Sequence, residues 1–253
     1  FITLHERFKK NRNASLNPMK KKLQNVLITN DDGHNAVGLQ ILKEIAKELA
    51  EKVFVISPKY NQSAKSKSIT IRKEINFEQL SDLVWVIDGT PTDCVIFALN
   101  FLFKEKKPDL ILSGINAGSN IGDEVSYSGT VAAAWEGAVR GINSFALSQC
   151  GGNNYSQSYE TSRTNGLQII NHLINLDSSI PKFYNINFPY EFISKTDTKN
   201  FHFTHLASQK KADELIINME EKSFSIGRML NYSQSILSSD LETIKQNKIS
   251  ISP

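Results

Sequence analysis

The chain has 253 residues, of which 40% are hydrophobic and 22% are charged, values typical of a globular protein. It contains no run of 18 uncharged apolar residues, so the sequence predicts no membrane span. The net charge of +3 arises in residues 1–22, which carry seven Lys or Arg and one Glu, while the remainder sums to −3. A mildly acidic folded part argues against a nucleic-acid-binding face, and residues 1–22 are predicted to be a basic extension outside the fold.

Short apolar segments alternate with helical patterns over residues 23–190, the predicted core domain. The strands are predicted at 26–29, 53–57, 69–75, 84–87, 110–113, 145–148 and 184–188, and the helices at 37–50, 90–103, 130–140 and 164–176. Buried strands that do not alternate in polarity and are separated by helices predict an α/β fold with a mostly parallel sheet and helices on both faces.

Residues 191–253 show a different pattern, with short segments at 201–206, 215–219 and 223–226 and no helix before about residue 240. Polar turns between such segments predict β-hairpins. This β-rich appendage fits either an oligomerisation arm or an edge extension of the same domain.

The first strand ends at Asn30–Gly33, a turn that holds two adjacent carboxylates, Asp31 and Asp32. Neighbouring side chains on a regular strand point to opposite faces, whereas a turn can direct both carboxylates to one point. Two anions held that close repel each other unless a cation lies between them, and oxygen ligands favour Mg²⁺ or Mn²⁺ over zinc. The helix at 37–50 follows, and α/β proteins bind ligands at this kind of strand-to-helix edge. An ordinary surface turn is the alternative.

Three further segments follow predicted strands and carry oxygen ligands or phosphate donors. Ser63 follows the second strand and offers a hydroxyl, with a solvated loop as the alternative. Asn116 lies in a glycine-rich loop and offers a neutral oxygen ligand. Ser128 and Thr130 stand at the start of the third predicted helix, where unpaired amides and the helix dipole form an anion site. For either glycine-rich loop a structural turn is the alternative.

The remaining reactive side chains give weaker signals. His34 directly follows the Asp pair and is either a proton shuttle or a loop residue. Cys94 and Cys150 are too few for a disulfide framework or a zinc site, which favours a reducing compartment and a cytoplasmic protein. The sequence contains no Gly-x-Gly-x-x-Gly, Walker or Gly-x-Ser-x-Gly motif, which argues against dinucleotide, P-loop and serine-hydrolase functions.

Five ordered motifs occur along residues 23–150. They are Leu27–Gly33 with Ala36 and Gly38; Ser57–Pro58 with Asn61, Ser63, Ser68 and Thr70; Gly89–Cys94; Ser113–Gly118 with Asn120 and Gly122; and Tyr127–Ala134 with Glu136 and Gly137. In this order and spacing they resemble the SurE family, the survival-protein nucleotidases. The resemblance is dense over these residues and weaker beyond them.

The resemblance implies a divalent-metal-dependent phosphatase that hydrolyses nucleoside 5′- and 3′-monophosphates, with some activity on short polyphosphate. It also implies a Rossmann-like core and a C-terminal hairpin arm exchanged between subunits of a homodimer or tetramer. One Mg²⁺ or Mn²⁺ per subunit is then expected. Its ligands are expected to be Asp31, Asp32, Ser63 and Asn116, and phosphate contacts are expected from Asn120, Ser128, Gly129 and Thr130.

The chain departs from the family pattern at Val37, Lys59 and Ala64, none of which is an expected ligand. Ser238–Asp240 stands where the family has Gly-Thr-Asp, and the family continues past the final Ile-Ser-Ile-Ser-Pro, so the resemblance implies a truncated C-terminus. These departures bear on oligomer geometry and nucleoside selectivity, and they leave the expected metal site intact.

The catalytic hypothesis is metal-assisted hydrolysis of a phosphomonoester, with Asp31 and Asp32 as catalytic residues. Asp32 is expected to accept the proton of an attacking water, and direct attack by a carboxylate stays open. The alternatives are an exopolyphosphatase or a phosphatase of another small ester with the same site, and a non-catalytic nucleotide- or metal-binding module. Nucleic-acid binding through residues 1–22 is a third possibility.

Overall fold

The computed structural model describes residues 22–151, 158–176, 182–194, 200–208, 210–231 and 237–253. The predicted basic extension, apart from Lys22, lies outside the described residues. In chain order the strands are β1 (Leu23–Thr29), β2 (Ala50–Pro58), β3 (Phe77–Ser81), β4 (Val84–Ile87), β5 (Leu110–Ala117), β6 (Ser144–Gln149), β7 (Phe183–Phe188), β8 (Phe201–Phe203), β9 (Lys210–Asn218), β10 (Ser223–Asn231) and β11 (Ile249–Ser252). The helices are α1 (Val37–Leu49), α2 (Pro91–Phe97, continued by a π-helical turn at Ala98–Leu102), α3 (Gly129–Val139), α4 (Glu160–Ile174) and α5 (Asp240–Lys245).

Nine of the strands form one sheet in the order β3-β4-β2-β1-β5-β6-β7-β11-β8. The strands from β4 to β7 in this order run parallel. Two pairs are antiparallel, β3 with β4 and β11 with β7, whereas β8 pairs parallel with β11. The predicted mostly parallel α/β fold is confirmed, and β9 and β10 form the predicted C-terminal hairpin as a separate two-stranded sheet.

Helices cover both faces of the main sheet. α1 and α4 pack on one face, where Leu42, Ile45 and Ile170 belong to the larger buried apolar cluster. α2 and α3 pack on the other face, where Cys94 and Ala133 belong to a second cluster. Among the described residues, no helix combines the length and the apolar character needed to cross a membrane.

The start of α1 lies unusually close to β5. A Cβ built on Gly38 would lie 1.8 Å from the carbonyl oxygen of Ile115, a distance that no side chain tolerates. Glycine at this position therefore lets the helix start sit against the strand. The contact brings the segment that follows the Asp31–Asp32 turn next to the end of β5, where Asn116 lies.

The prediction of a strand at 69–75 was wrong. The edge strand lies at Phe77–Ser81 instead and is exposed along its whole length. Thr70, within the predicted segment, donates its N–H and its hydroxyl to Asp93, over 2.9 and 2.7 Å. Its backbone N–H is therefore bonded to a side chain and not to a neighbouring strand.

β5 and β8 also differ from the prediction. The ladder from β5 to β6 resumes beyond Gly114, so Asn116 lies on a strand and not in the following loop. The segment predicted at 201–206 forms only the short β8, which pairs with β11 of the main sheet and not within a hairpin. The reason is burial, since Phe201 and Ile249 both belong to the larger apolar cluster.

Candidate metal and phosphate site

Asp31 lies just after β1 and is buried, with 3% of its surface exposed. Thr130, at the start of α3, donates its hydroxyl to one carboxylate oxygen and its backbone N–H to the other, the latter over 3.1 Å. Burial is the main cause that raises the pKa of Asp31 to about 6; the Thr130 hydroxyl lowers it and the charge of Asp32 raises it. The buried carboxylate therefore lacks compensating positive charge.

Asp32 faces the end of β5. Its Oδ2 accepts the backbone N–H of Ala117 over 2.9 Å, and its Oδ1 has no partner within the described part of the chain. Burial raises the pKa of Asp32 as well. Asn30 closes the turn that joins the two carboxylates, since its Nδ2 donates to the Gly33 carbonyl over 2.8 Å. Two adjacent desolvated carboxylates with unused lone pairs fit a bound cation.

The other two expected metal ligands lie on segments that hold this pair. The loop after β2 contacts Asp31 through Gln62, whose N–H donates to the Asp31 carbonyl over 2.7 Å, and the exposed Ser63 is the next residue. Asn116 is half-buried, and its Nδ2 donates to the Gly118 carbonyl over 3.1 Å, which leaves its amide oxygen for a ligand. The structure thus brings the segments that carry all four expected ligands to one edge of the sheet.

These side chains offer only oxygen ligands: two carboxylates, one hydroxyl and one amide. Hard cations such as Mg²⁺ and Mn²⁺ prefer such ligands. The described residues hold no group of three His, Cys, Asp or Glu side chains placed for a metal, so neutral oxygens would have to complete the coordination here. The unpaired oxygen of Asp32 and the chemistry of the donor set fit a hard divalent cation.

α3 starts immediately beside Asp31. Ser128 caps the helix, because its Oγ accepts the Val131 N–H over 3.1 Å. A Cβ on Gly129 would lie 2.9 Å from the Cβ of Asp31, so glycine is needed for this approach. Thr130, an expected phosphate contact, has both its donors bound to Asp31. The Gly129 N–H has no partner in the described ranges, and it is the helix-start donor that an anion can use.

Asn120, in the loop between β5 and α3, is buried and is hydrogen-bonded by side chains of β6 and β7. Its Nδ2 donates to Ser148 Oγ over 2.7 Å, and its backbone N–H donates to Asn187 Oδ1 over 2.8 Å. Its carbonyl accepts from Asn185 and Asn187 over 2.7 and 3.0 Å. Sequence reasoning missed both asparagines of β7. The available signal was a pair of amides two residues apart in a strand predicted to be buried.

The loop that carries Ser63 is anchored at both ends. Ser66 donates its N–H to the Tyr127 carbonyl over 2.9 Å, which ties the loop to the segment before α3. Asp93, at the start of α2, accepts from Thr70 and completes a capping box at its own helix. The Gly-Thr-Pro-Thr-Asp-Cys motif therefore fixes the loop beside the site.

Two ring side chains lie near the pair. His34, a candidate proton shuttle, has its Nδ1 3.1 Å from Ser57 Oγ, and burial together with Lys43 lowers its pKa. Tyr159 was missed by sequence reasoning, since no motif marks it. Burial, with a further contribution from the charge of Asp32, raises the pKa of Tyr159 to about 12. Its phenol therefore stays protonated at neutral pH.

The fold and the site define a class of α/β protein in which a carboxylate pair and a helix-start amide meet at the carboxyl edge of a parallel sheet. The family model of survival protein SurE matches residues 26–213, and the chain belongs to this family. The 5′-nucleotidase SurE of Paramagnetospirillum magneticum is 37% identical over 231 residues, which cover 90% of this chain and 88% of the relative. The 5′-nucleotidase SurE of Nitrobacter hamburgensis is 44% identical over 172 residues, which cover 65% of each chain. The crystal structure of the SurE protein from Aquifex aeolicus is similar with a TM-score of 0.76 and 28% identity, over 90% of this chain and 92% of its own.

Proposed function

We propose that this protein is a divalent-metal-dependent phosphatase of nucleoside 5′-monophosphates, with activity on 3′-monophosphates as well. The observation that carries the proposal is that one turn holds two adjacent desolvated carboxylates, Asp31 and Asp32, with Asp31 against the start of α3. Family membership supports it, because relatives named 5′-nucleotidase SurE align with 90% of the chain at 37% identity.

The proposed cofactor is one Mg²⁺ or Mn²⁺ per subunit. Its ligands would be Asp31, Asp32, Ser63 and Asn116. Bound there, the cation would supply Lewis-acid polarisation of the phosphoryl group. The protein prepares the site by holding the carboxylates in place, with Thr130 on Asp31 and a backbone N–H of β5 on Asp32. Partners of this kind orient metal ligands before the metal binds.

The phosphate is proposed to lie between the carboxylates and the loop before α3. The Gly129 N–H and one amide N–H of Asn120 would donate to its oxygens and stabilise the charge that develops there. Ser128 caps the helix and Thr130 holds the neighbouring carboxylate, so these two would shape the phosphate site through the groups they bind. Asp32, one oxygen of which has no partner among the described residues, is proposed to accept the proton of the attacking water.

Phosphate release tests this proposal against its rivals. The panel comprises nucleoside 5′- and 3′-monophosphates, p-nitrophenyl phosphate and tripolyphosphate, each with Mg²⁺ and with Mn²⁺. Turnover of 5′-monophosphates that stops when a chelator is added is the expected result. A markedly higher kcat/KM for tripolyphosphate would favour the exopolyphosphatase alternative. Nucleotide binding without phosphate release under every condition would favour a non-catalytic module.

The β9–β10 hairpin is proposed to join subunits in a homodimer or tetramer. Six of its large apolar side chains are each more than half exposed: Leu215, Ile216, Ile217, Met219, Phe224 and Ile226. A two-stranded hairpin is marginal on its own, and an exposed apolar surface of this kind marks an interaction site. The base of the hairpin contacts the loop between β5 and α3, since the Lys210 N–H donates to Asp123 over 2.8 Å. Sedimentation velocity would test the assembly.

The division into a catalytic core at 23–190 and an appendage at 191–253 stays a proposal. The second part returns two strands, β8 and β11, to the main sheet, which favours folding as a single unit with a protruding hairpin. A cytoplasmic location is likewise proposed, supported by the unpaired state of the buried Cys94 and Cys150.

A further inference from the structure

One face of β7 carries amides where a central strand of a parallel sheet is usually apolar. Asn185 and Asn187 lie two residues apart, so their side chains project from the same face, and both are buried (1% and 0% exposed). A buried amide is unfavourable unless its polar atoms are hydrogen-bonded. Departures from local sequence rules of this kind are expected where side chains serve a functional site.

Both amides bind one residue of the loop between β5 and α3. Asn187 accepts the N–H of Asn120 over 2.8 Å and donates to its carbonyl over 3.0 Å, so the side chain pairs with that backbone as a neighbouring strand would. Asn185 donates to the same carbonyl over 2.7 Å. Ser148, opposite Asn187 in the sheet, accepts one N–H of the Asn120 side chain over 2.7 Å. β6 and β7 together therefore fix this single loop residue.

These bonds leave one donor of Asn120 available. Its side-chain amide carries two N–H groups, of which one binds Ser148 and the other has no partner among the residues that the structure describes. Along the chain, Asn120 lies between Asn116, an expected metal ligand near the end of β5, and the helix start at Ser128. The second N–H is therefore a donor through which this buried residue can contact a phosphate oxygen, whereas the side-chain oxygen of Asn120 can only accept.

We propose that Asn187, assisted by Asn185, is a positioning residue that holds the second N–H of Asn120 toward the phosphate. The inference rests on the proposed function, in which Asn120 contacts the phosphate. A donor that is fixed before the substrate arrives stabilises developing charge without reorganisation. The same bonds in a purely structural role would affect stability and leave the affinity for phosphate unchanged.

Three substitutions of equal size separate these roles. Asn187→Asp keeps the shape of the side chain and replaces the NH₂ group that donates to the Asn120 carbonyl with an oxygen. Asn185→Asp replaces the NH₂ group of the second amide, which donates to the same Asn120 carbonyl, with an oxygen. Asn165→Asp is the matched control, because Asn165 is also buried (1% exposed) and donates to two backbone carbonyls, over 3.0 and 2.7 Å, in and beyond α4.

The measurements are KM and kcat for adenosine 5′-monophosphate at saturating Mn²⁺, inhibition by inorganic phosphate, and the rise in Tm on adding Mn²⁺. In Asn187→Asp, both KM and the inhibition constant of phosphate should rise about tenfold. The Mn²⁺-dependent rise in Tm should match the wild type, because the proposed metal ligands lie after β1 and β2 and on β5. Asn185→Asp should change KM in the same direction by less. Asn165→Asp should lower Tm and leave KM unchanged.

Equal KM values for folded Asn187→Asp and Asn165→Asp would overturn the inference. If Asn187→Asp does not fold, an unchanged KM in Asn185→Asp overturns it. A wild type that binds Mn²⁺ and phosphate without hydrolysing the nucleotide would refute the proposed function alone. In that case the inference is tested by the rise in Tm on adding phosphate. Asn187→Asp should lose this rise and Asn165→Asp should keep it. A rise that Asn187→Asp keeps, or that both variants lose, overturns the inference.

Discussion

Thr130 offers a sharp test of how the site is built. The residue is fully buried, and its hydroxyl and N–H bind the two oxygens of Asp31. Thr130→Val keeps the size and the N–H and removes only the hydroxyl. A hydrogen bond to a charged group contributes about 1.5–3 kcal/mol. Loss of such a partner of a metal ligand typically weakens metal binding about 10- to 100-fold, so we expect that loss of Mn²⁺ affinity here.

Thermal unfolding over a series of Mn²⁺ concentrations measures this effect. A metal at 100 times its Kd stabilises the fold by about 2.7 kcal/mol, and tenfold weaker binding at the same concentration leaves about 1.4 kcal/mol. Thr130→Ser, which keeps the hydroxyl, is the control and should bind Mn²⁺ nearly as the wild type does. A Thr130→Val variant with normal Mn²⁺ affinity and a raised KM would refute the reasoning, because Thr130 would then act on the phosphate and not on Asp31.

Gly38→Ala should lower the free energy of unfolding by about 1–3 kcal/mol in urea denaturation, because the new Cβ would meet the Ile115 carbonyl oxygen at 1.8 Å. Asp93→Ala should lower stability by about 1–2 kcal/mol in thermal unfolding, since it removes a helix cap and the acceptor of both Thr70 donors. Phe224→Asp, at a side chain that is 69% exposed on the hairpin, should shift the protein toward smaller species in sedimentation velocity.

Each of these substitutions has a control in the same chain. Gly166→Ala should destabilise less than the α1 variant, because its Cβ would meet only the movable Cδ1 of Ile45, at 2.8 Å. Asp93→Asn keeps one acceptor oxygen and should therefore destabilise the protein less than Asp93→Ala does. Phe77→Asp, at a side chain 55% exposed on the edge strand β3, should leave the sedimentation coefficient unchanged. If a test substitution and its control had equal effects, the physical cause assigned to the test substitution would be contradicted.

The sequence predicts the central sheet well because buried strands and amphipathic helices leave strong patterns. The site could be located for the same reason, since the expected ligands follow strands that meet at one edge of a parallel sheet. The edge of the sheet could not be predicted. β3 is exposed throughout and buries no side chain, whereas the apolar residues at 69–75 suggested a strand that does not form.

The hydrogen-bond partners within the site could not be predicted from the sequence either. The helix start was expected to bind an anion, but one of its N–H groups binds the protein's own carboxylate, Asp31, which precedes Thr130 by 99 residues. The support of Asn120 comes from Asn185 and Asn187, 65 and 67 residues away. Neither pairing follows from local pattern, because both depend on which strands become neighbours.

The central claim is that the carboxylate pair carries metal-dependent phosphate release. Hydrolysis of adenosine 5′-monophosphate with Mn²⁺ should be measured for the wild type, Asp31→Asn and Asp32→Asn, with folding checked by thermal unfolding. Both variants should fold, because an amide relieves the repulsion between two desolvated carboxylates. Each should lose at least about a hundredfold in kcat/KM, which corresponds to about 2.7 kcal/mol of transition-state stabilisation. Activity of both variants within a few-fold of the wild type would contradict the claim.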